Sequence, residues 1–287
     1  MRGIRQSVAA LKQRTVDRLA AAYIAGPHLA EAIHLCRKIA GNGWSSMICP
    51  WDGPEDTPET VASNYLLALK SIARENLDCY LSVKVPALGY DFEKLSKLLL
   101  EARAHGVRVH FDSHHAGSAS DTFTLLERGI GIHGDLGCTL PSRWRRSFSD
   151  AERAIDWGVS IRVVKGQWPD PAEPGLDPRA RFLDLIDVLR GRAAHVGVAT
   201  HDASLAKEAL LRLQRSGTPC QLEQLFGLPL HTIRVTRPLG VSTRIYVAYG
   251  RAWLPYCISQ VRRRPAMLLW MARDFFQPGF VKPRILI

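Results

Sequence analysis

Apolar positions along the chain fall into short runs that alternate with longer amphipathic stretches. Strand-like runs rich in Val and Ile occur at Ser45–Pro50, Tyr80–Val85, Val107–Phe111, Gly129–His133, Ser160–Lys165, Gly197–Thr200, Cys220–Phe226 and Val241–Val247. Between them, Val61–Arg74, Phe92–Ala104, Asp150–Trp157, Arg179–Arg192 and Leu205–Gln214 repeat apolar residues at three- and four-residue spacing, the mark of a helix with one buried face. Gly106, Gly129, Gly158 and Gly217 each precede a strand-like run, where a helix needs a residue that turns left-handed. Thr60 after Pro58, Asp91 and Ser149-Asp150 mark helix starts. The weakest helix spans Leu228–Leu239, which contains Pro229 and Pro238.

Eight strands alternating with helices predict parallel pairing, because each return crossover needs a helix. The expected fold is α/β, a (β/α)8 TIM-type barrel, with an N-terminal helix and a C-terminal helical extension. A single barrel domain over 1–287 suits the length. An open doubly wound sheet is the competitor, but no Gly-x-Gly-x-x-Gly follows the first strand.

Composition adds little to the fold and something to the ligand. Hydrophobic residues are 46% and charged residues 23% of the chain, ordinary for a soluble globular protein. The formal net charge is +11, which directs attention to anionic ligands. The six cysteines (Cys36, Cys49, Cys79, Cys138, Cys220 and Cys257) are scattered without a Cys-x-x-Cys pair, which reads as reduced thiols of a cytoplasmic protein and gives no metal site. No apolar run reaches the roughly 20 residues that span a bilayer. The basic, acid-free stretch Met1–Val16 reads as an amphipathic first helix with Ile4, Val8 and Leu11 on one face, rather than as a transit peptide.

A barrel carries its chemistry at the C-terminal ends of its strands. There the sequence places Lys84, Asp112, Arg162, Lys165 with Gly166, Thr200 with His201, and Tyr246 with Tyr249. Lys84 and Asp112, on adjacent strands, are expected to form a charge pair. Arg162 and Lys165 are an odd number of residues apart, so alternation splits them between faces, unless a bend near Gly166 aims both at one anion and admits it closely. No Ser-His-Asp or Cys-His arrangement accompanies them. The residues alone therefore suggest an anionic ligand at a barrel mouth.

The segments Leu81–Leu88, Val109–Asp112, Ile161–Trp168, Val198–Asp202, Leu225–Gly227 and Arg244–Pro255, followed by Tyr256 and Arg264-Pro265-Ala266, run in the order found in another group of proteins. In these segments the chain resembles the FAD-dependent proline dehydrogenases, whose catalytic domain is a (β/α)8 barrel. The resemblance implies active-site roles for Lys84, Asp112 and Tyr246. It implies FAD contacts for Arg162, Lys165, Gly166, Thr200 and His201. Tyr249 and Tyr256 would line the substrate pocket. The implied reaction moves a hydride from the carbon next to an amine nitrogen to flavin N5, with a quinone as a candidate acceptor and peripheral membrane contact left open. No nucleic-acid partner is implied.

Departures accompany the resemblance. The family's two carboxylate-gripping arginines after the eighth strand correspond to Ser259 and Gln260. Its glutamine on the fourth strand is matched to His133, and its Glu-Phe-Gln to Gln221-Leu222-Glu223. His133 and Glu223 would then meet the flavin edge. An altered amine or imino-acid substrate follows from the lost clamp. The alternative is a redox-inactive barrel acting as a binding or regulatory protein.

Overall fold

A computed structural model of the protein describes residues 25–250 apart from 54, 113–114 and 229–230. The expected N-terminal helix, the C-terminal helical extension, and Tyr256, Ser259 and Gln260 lie outside the described residues.

Helix α1 (Leu29–Gly41) precedes β1 (Ser45–Trp51), and the alternation then runs α2 (Pro58–Glu75), β2 (Cys79–Val83), α3 (Phe92–His105), β3 (Val109–Phe111), α4 (Ala119–Ile130), β4 (Leu136–Pro141), α5 (Ser147–Asp156), β5 (Ser160–Val164), α6 (Pro178–Leu189), β6 (Val196–Ala199), α7 (Ala203–Arg215), β7 (Cys220–Leu225), the short α8 (His231–Thr236) and β8 (Ser242–Gly250). Every neighbouring pair is parallel, and β8 closes on β1 with Met47 opposite Tyr246. The fold is therefore a closed (β/α)8 barrel, and the open-sheet alternative falls. Among the described residues no helix is long and apolar enough to cross a membrane.

Local sequence explains the helix starts. Thr57 caps α2 by accepting the Thr60 N–H, with Pro58 in the first turn. Asp91 caps α3 by accepting from Glu93 and Lys94. Gly106, Gly158 and Gly217 adopt positive φ after their helices, as the sequence suggested.

The fourth strand required a correction. The run at Gly129–His133 is not a strand. It is the end of α4 and the turn after it, and β4 lies further on at Leu136–Pro141. Gly129 does not stop the helix. It sits inside α4 because a Cβ there would come 2.8 Å from Leu99 Cδ1, so its bareness lets α4 lie close on α3. Short apolar runs do not distinguish a buried strand from the end of a buried helix.

The main apolar core lies between barrel and helices, where Ile48, Leu81, Val109, Ile161, Val198 and Val247 meet Tyr65, Leu99 and Phe182. Barrel interiors are usually filled by branched aliphatic residues. Here the strand positions of opposite parity bring polar groups inside: Tyr80, His110, Thr139, Arg162, Glu223, Arg244 and Tyr246.

Gly166 follows β5 with φ +86°, and a Cβ there would stand 2.7 Å from Pro141 Cβ. Gly166→Ala is expected to cost about 1–3 kcal/mol, read as a lower denaturation midpoint. An unchanged midpoint would show that the turn relaxes freely.

Candidate active site

Arg162 is the hub of the barrel interior. It is 3% exposed. Its Nε donates to Glu223 Oε2 at 2.7 Å, and its Nη2 donates to the Tyr80 hydroxyl at 2.9 Å. Its Nη1 lies 3.4 Å from both Asp112 Oδ1 and Thr139 Oγ1. Burial disfavours the guanidinium's charge, but Tyr80, Glu223 and Asp112 surround it and hold its pKa well above the ordinary value. Tyr80 in turn donates to Glu223 Oε1 at 3.1 Å and stacks on the His110 ring. A buried charge group of this kind persists only if its members satisfy one another.

One layer nearer the strand ends, Asp112 collects the second group. Its Oδ2 accepts the Tyr246 hydroxyl at 3.0 Å, and its Oδ1 accepts from Thr139 at 3.1 Å. Burial, with Cys49 and Asp112 nearby, raises the Tyr246 pKa well above its usual value, so the phenol stays a donor. The expected Lys84–Asp112 pair does not form as a direct contact. Lys84 Nζ instead lies 3.0 Å from Cys49 Sγ and 5.4 Å from the Trp51 ring centroid. Burial alone would lower the Lys84 pKa, but Cys49, Asp112 and Asp52 together raise it. The ammonium is thus held charged.

Arg162 and Lys165 do not face one anion. Their odd separation sends Arg162 into the barrel and Lys165 to its rim, where Lys165 Nζ lies 3.3 Å from Asp202 Oδ2. Arg179 also donates to that carboxylate. Asp202 caps α7 by accepting the Leu205 N–H at 3.1 Å. Desolvation raises the Asp202 pKa, but the bonds from Leu205, Arg179 and Ser204 outweigh it and leave the group strongly acidic. Asp202→Ala is expected to cost about 1 kcal/mol of stability through the lost cap, checked by chemical denaturation. A neutral result would place the cap elsewhere.

The neighbouring Thr200 and His201 also act within the fold. The Thr200 hydroxyl accepts the Asp202 N–H at 3.2 Å, and His201 Nε2 accepts the Leu225 N–H at 3.0 Å, tying β6 to β7. Gln224 donates to the Thr200 carbonyl at 2.7 Å, while its own Oε1 is buried without a hydrogen-bond partner.

Three expected site positions are corrected. His133 is not on β4 and does not reach the strand ends. It sits in the turn after α4 with Nε2 3.0 Å from the carbonyl of Val107, ahead of β3 and thus at the opposite end of the barrel. Glu223 does not present its carboxylate to a cofactor edge. It is 4% exposed and taken up by Arg162, Tyr80 and Gln221. Tyr249 has the opposite parity to Tyr246 and packs outward, lining a cavity of about 280 Å³ with Leu29, Trp51 and Val61.

Sequence reasoning missed Tyr80, Thr139, Cys49 and Arg179. Tyr80 was legible, since it shares parity with Lys84 on one strand. Thr139 was hidden because β4 had been placed too early, and its partnership with Arg162 follows from the register Thr139↔Arg162.

His110 shows how this interior titrates. Burial and the nearby Arg162, Arg108 and Arg244 push its pKa well below 6.5, and burial lowers that of His195 as well. These rings are neutral in the folded chain. As pH falls below about 6.5, the unfolded chain binds protons that the folded chain refuses, so stability is present above that pH and lost below it. Urea unfolding between pH 7 and 5.5 is expected to show a falling free energy, with a flatter slope in His110→Gln. Equal slopes would remove His110 from the acid response.

No known family profile matches the chain. A proline dehydrogenase 1 of Bacillus subtilis subsp. natto is 23% identical over 262 residues, covering 85% of this chain and 86% of that protein. A proline dehydrogenase of Deinococcus radiodurans is 21% identical over 284 residues, covering 91% of each. Among solved structures, proline utilization A from Bdellovibrio bacteriovorus superposes with a TM-score of 0.75 at 16% identity. It covers 97% of this chain, which spans only 36% of that much longer protein.

The chain is thus similar to proline dehydrogenases over most of its length.

The structure brings Asp112, Arg162 and Tyr246 into one bonded group and sets Lys84 beside them.

Proposed function

We propose that the protein is a flavin-dependent dehydrogenase of small amines or imino acids, working on the mouth of the barrel. The observation that carries this reading is the bonded group Arg162–Asp112–Tyr246, a cation, an acid and a protonated phenol at the strand ends of a proline dehydrogenase-family barrel. The proteins it resembles are named proline dehydrogenases.

The residues present suit FAD. Lys165 and Arg179 form a half-exposed cation pair beside the N-terminus of α7, a place that favours a pyrophosphate. Lys165, Arg179, Gly166, Thr200 and His201 would hold the cofactor on this side, with Arg162 beneath it. FAD held there would supply the acceptor for a hydride, one proton with its two electrons, from the carbon next to the amine nitrogen.

This chain's own residues do the rest. The Tyr246 phenol, fixed on Asp112, and the charged Lys84 bind and orient the substrate. Arg162 supplies positive charge where negative charge develops. Closure of the barrel floor by the Arg162 group excludes water from below. Substrate choice follows from Ser259 and Gln260, whose neutral side chains hold a carboxylate less well than paired arginines. A related amine lacking the carboxylate, or a modified amino acid, suits them better than L-proline. The five described cysteines are all free thiols, which supports a reducing, cytoplasmic setting.

The test is a visible spectrum of the purified protein, followed by anaerobic bleaching against a panel of cyclic and secondary amines. The expected result is absorbance near 450 nm, lost on adding a substrate. A colourless protein that takes up no added FAD would sink the reading in favour of a redox-inactive binding barrel.

A further inference from the structure

Arg162 is the cation expected under the flavin, yet its charge is not available undiminished. Glu223 meets its Nε at 2.7 Å, and both side chains are 4% exposed. Asp112 stands 3.4 Å from Nη1 on the other side. Opposite charges in contact cancel much of each other's field at a distance, and water cannot intervene here to screen them separately.

This carboxylate shares the inner face of β7 with an amide. Gln221 and Glu223 point inward two residues apart. Gln221 Oε1 accepts from Arg244 Nε at 3.3 Å, near the start of the strands, while Glu223 pairs with Arg162 nearer their ends. The related pattern Glu-Phe-Gln has its acid and amide in the reverse order. The two interior arginines are thus unequally served. Arg244 makes its contacts with the Gln221 amide, the Ser46 carbonyl and Asp78, and Arg162 receives the buried acid. Two residues along a strand is roughly 6.6 Å. The acid therefore stands about that distance nearer the mouth than the Gln221 amide.

We infer that Glu223 is a positioning residue that acts through Arg162: by compensating this cation, it holds the reduction potential of a flavin at the strand ends below the value an uncompensated Arg162 would give. The inference rests on the flavin reading above. Positive charge near a flavin favours its reduced, more negative form, and a counter-charge on that cation works against it. Tyr80 bridges the same two side chains without adding charge, accepting from Arg162 and donating to Glu223.

Four proteins test this as holoenzymes: wild type, Glu223→Gln, Tyr80→Phe, and the exchange Gln221→Glu with Glu223→Gln. The exchange keeps composition and net charge while moving the acid away from Arg162, so it guards against a single variant that fails to fold. Flavin content is read first from absorbance near 450 nm. The flavin potential is then measured by equilibration with a reference dye, and sulfite affinity by titration, since sulfite adds to an electron-poor flavin. Glu223→Gln and the exchange are expected to raise the potential and to bind sulfite at least tenfold more tightly. Tyr80→Phe is expected to leave both near wild type.

Potentials unmoved in the two Glu223 variants, or moved equally by Tyr80→Phe, would overturn the inference and leave the flavin reading intact. A protein without flavin overturns both. Should neither Glu223 variant yield folded protein, the wild type decides: weak sulfite binding is expected, and a tight adduct would show an uncompensated cation and overturn the proposal.

Discussion

Replacing Arg162 with methionine is expected to destabilise the barrel by about 3–5 kcal/mol, the usual cost of removing one partner from a buried ion pair. Methionine ends level with the arginine Nε, so a small void where the guanidinium stood adds to the cost. Most of the loss comes from charge. Glu223 and Asp112 would remain inside, the former 4% exposed and left with only the Tyr80 hydroxyl and the Gln221 amide. A desolvated carboxylate without a cation takes up a proton or opens the structure to water. Combining Arg162→Met with Glu223→Gln removes both charges and is expected to recover a large part of the loss, since the two sites share one bond. Denaturant midpoints of the three variants measure this coupling. If Arg162→Met alone costs under about 1 kcal/mol, the interior is more solvated than its burial implies, and the hub description fails.

The second large effect concerns substrate choice. Installing arginine at both Ser259 and Gln260 is expected to raise kcat/KM for L-proline by roughly 100- to 5000-fold, in line with the about 3–5 kcal/mol that a buried carboxylate clamp can contribute. In the wild type, carboxylate-free cyclic amines should outperform proline, and the double variant should reverse that order. Steady-state assays with a dye acceptor read both numbers. Robust proline turnover by the wild type at ordinary concentrations would remove the altered-substrate idea.

Seven of the eight strands were legible within a few residues, because each is a short apolar run set between amphipathic stretches. The fourth was not. Gly129–Ile130–Gly131–Ile132 has the look of a buried strand, and only the contact between α4 and Leu99 shows why Gly129 belongs to a helix. That error carried His133 to the wrong end of the barrel and hid Thr139. Tyr249 was misplaced for a different reason. Two tyrosines three residues apart on a strand face opposite ways, so only one of Tyr246 and Tyr249 could enter the barrel.

By itself, the sequence determined the alternation of strands and helices, hence parallel pairing and a barrel, and it placed Lys84, Asp112, Arg162 and Tyr246 near the strand ends. Periodicity and capping are local properties, written in consecutive residues. Only the tertiary structure decided who bonds to whom. Arg162 is 61 residues from Glu223 and 50 from Asp112, and closure of the sheet brings the three together. Pairing energies depend on those distances and on the exclusion of water, and neither is encoded in spacing along the chain.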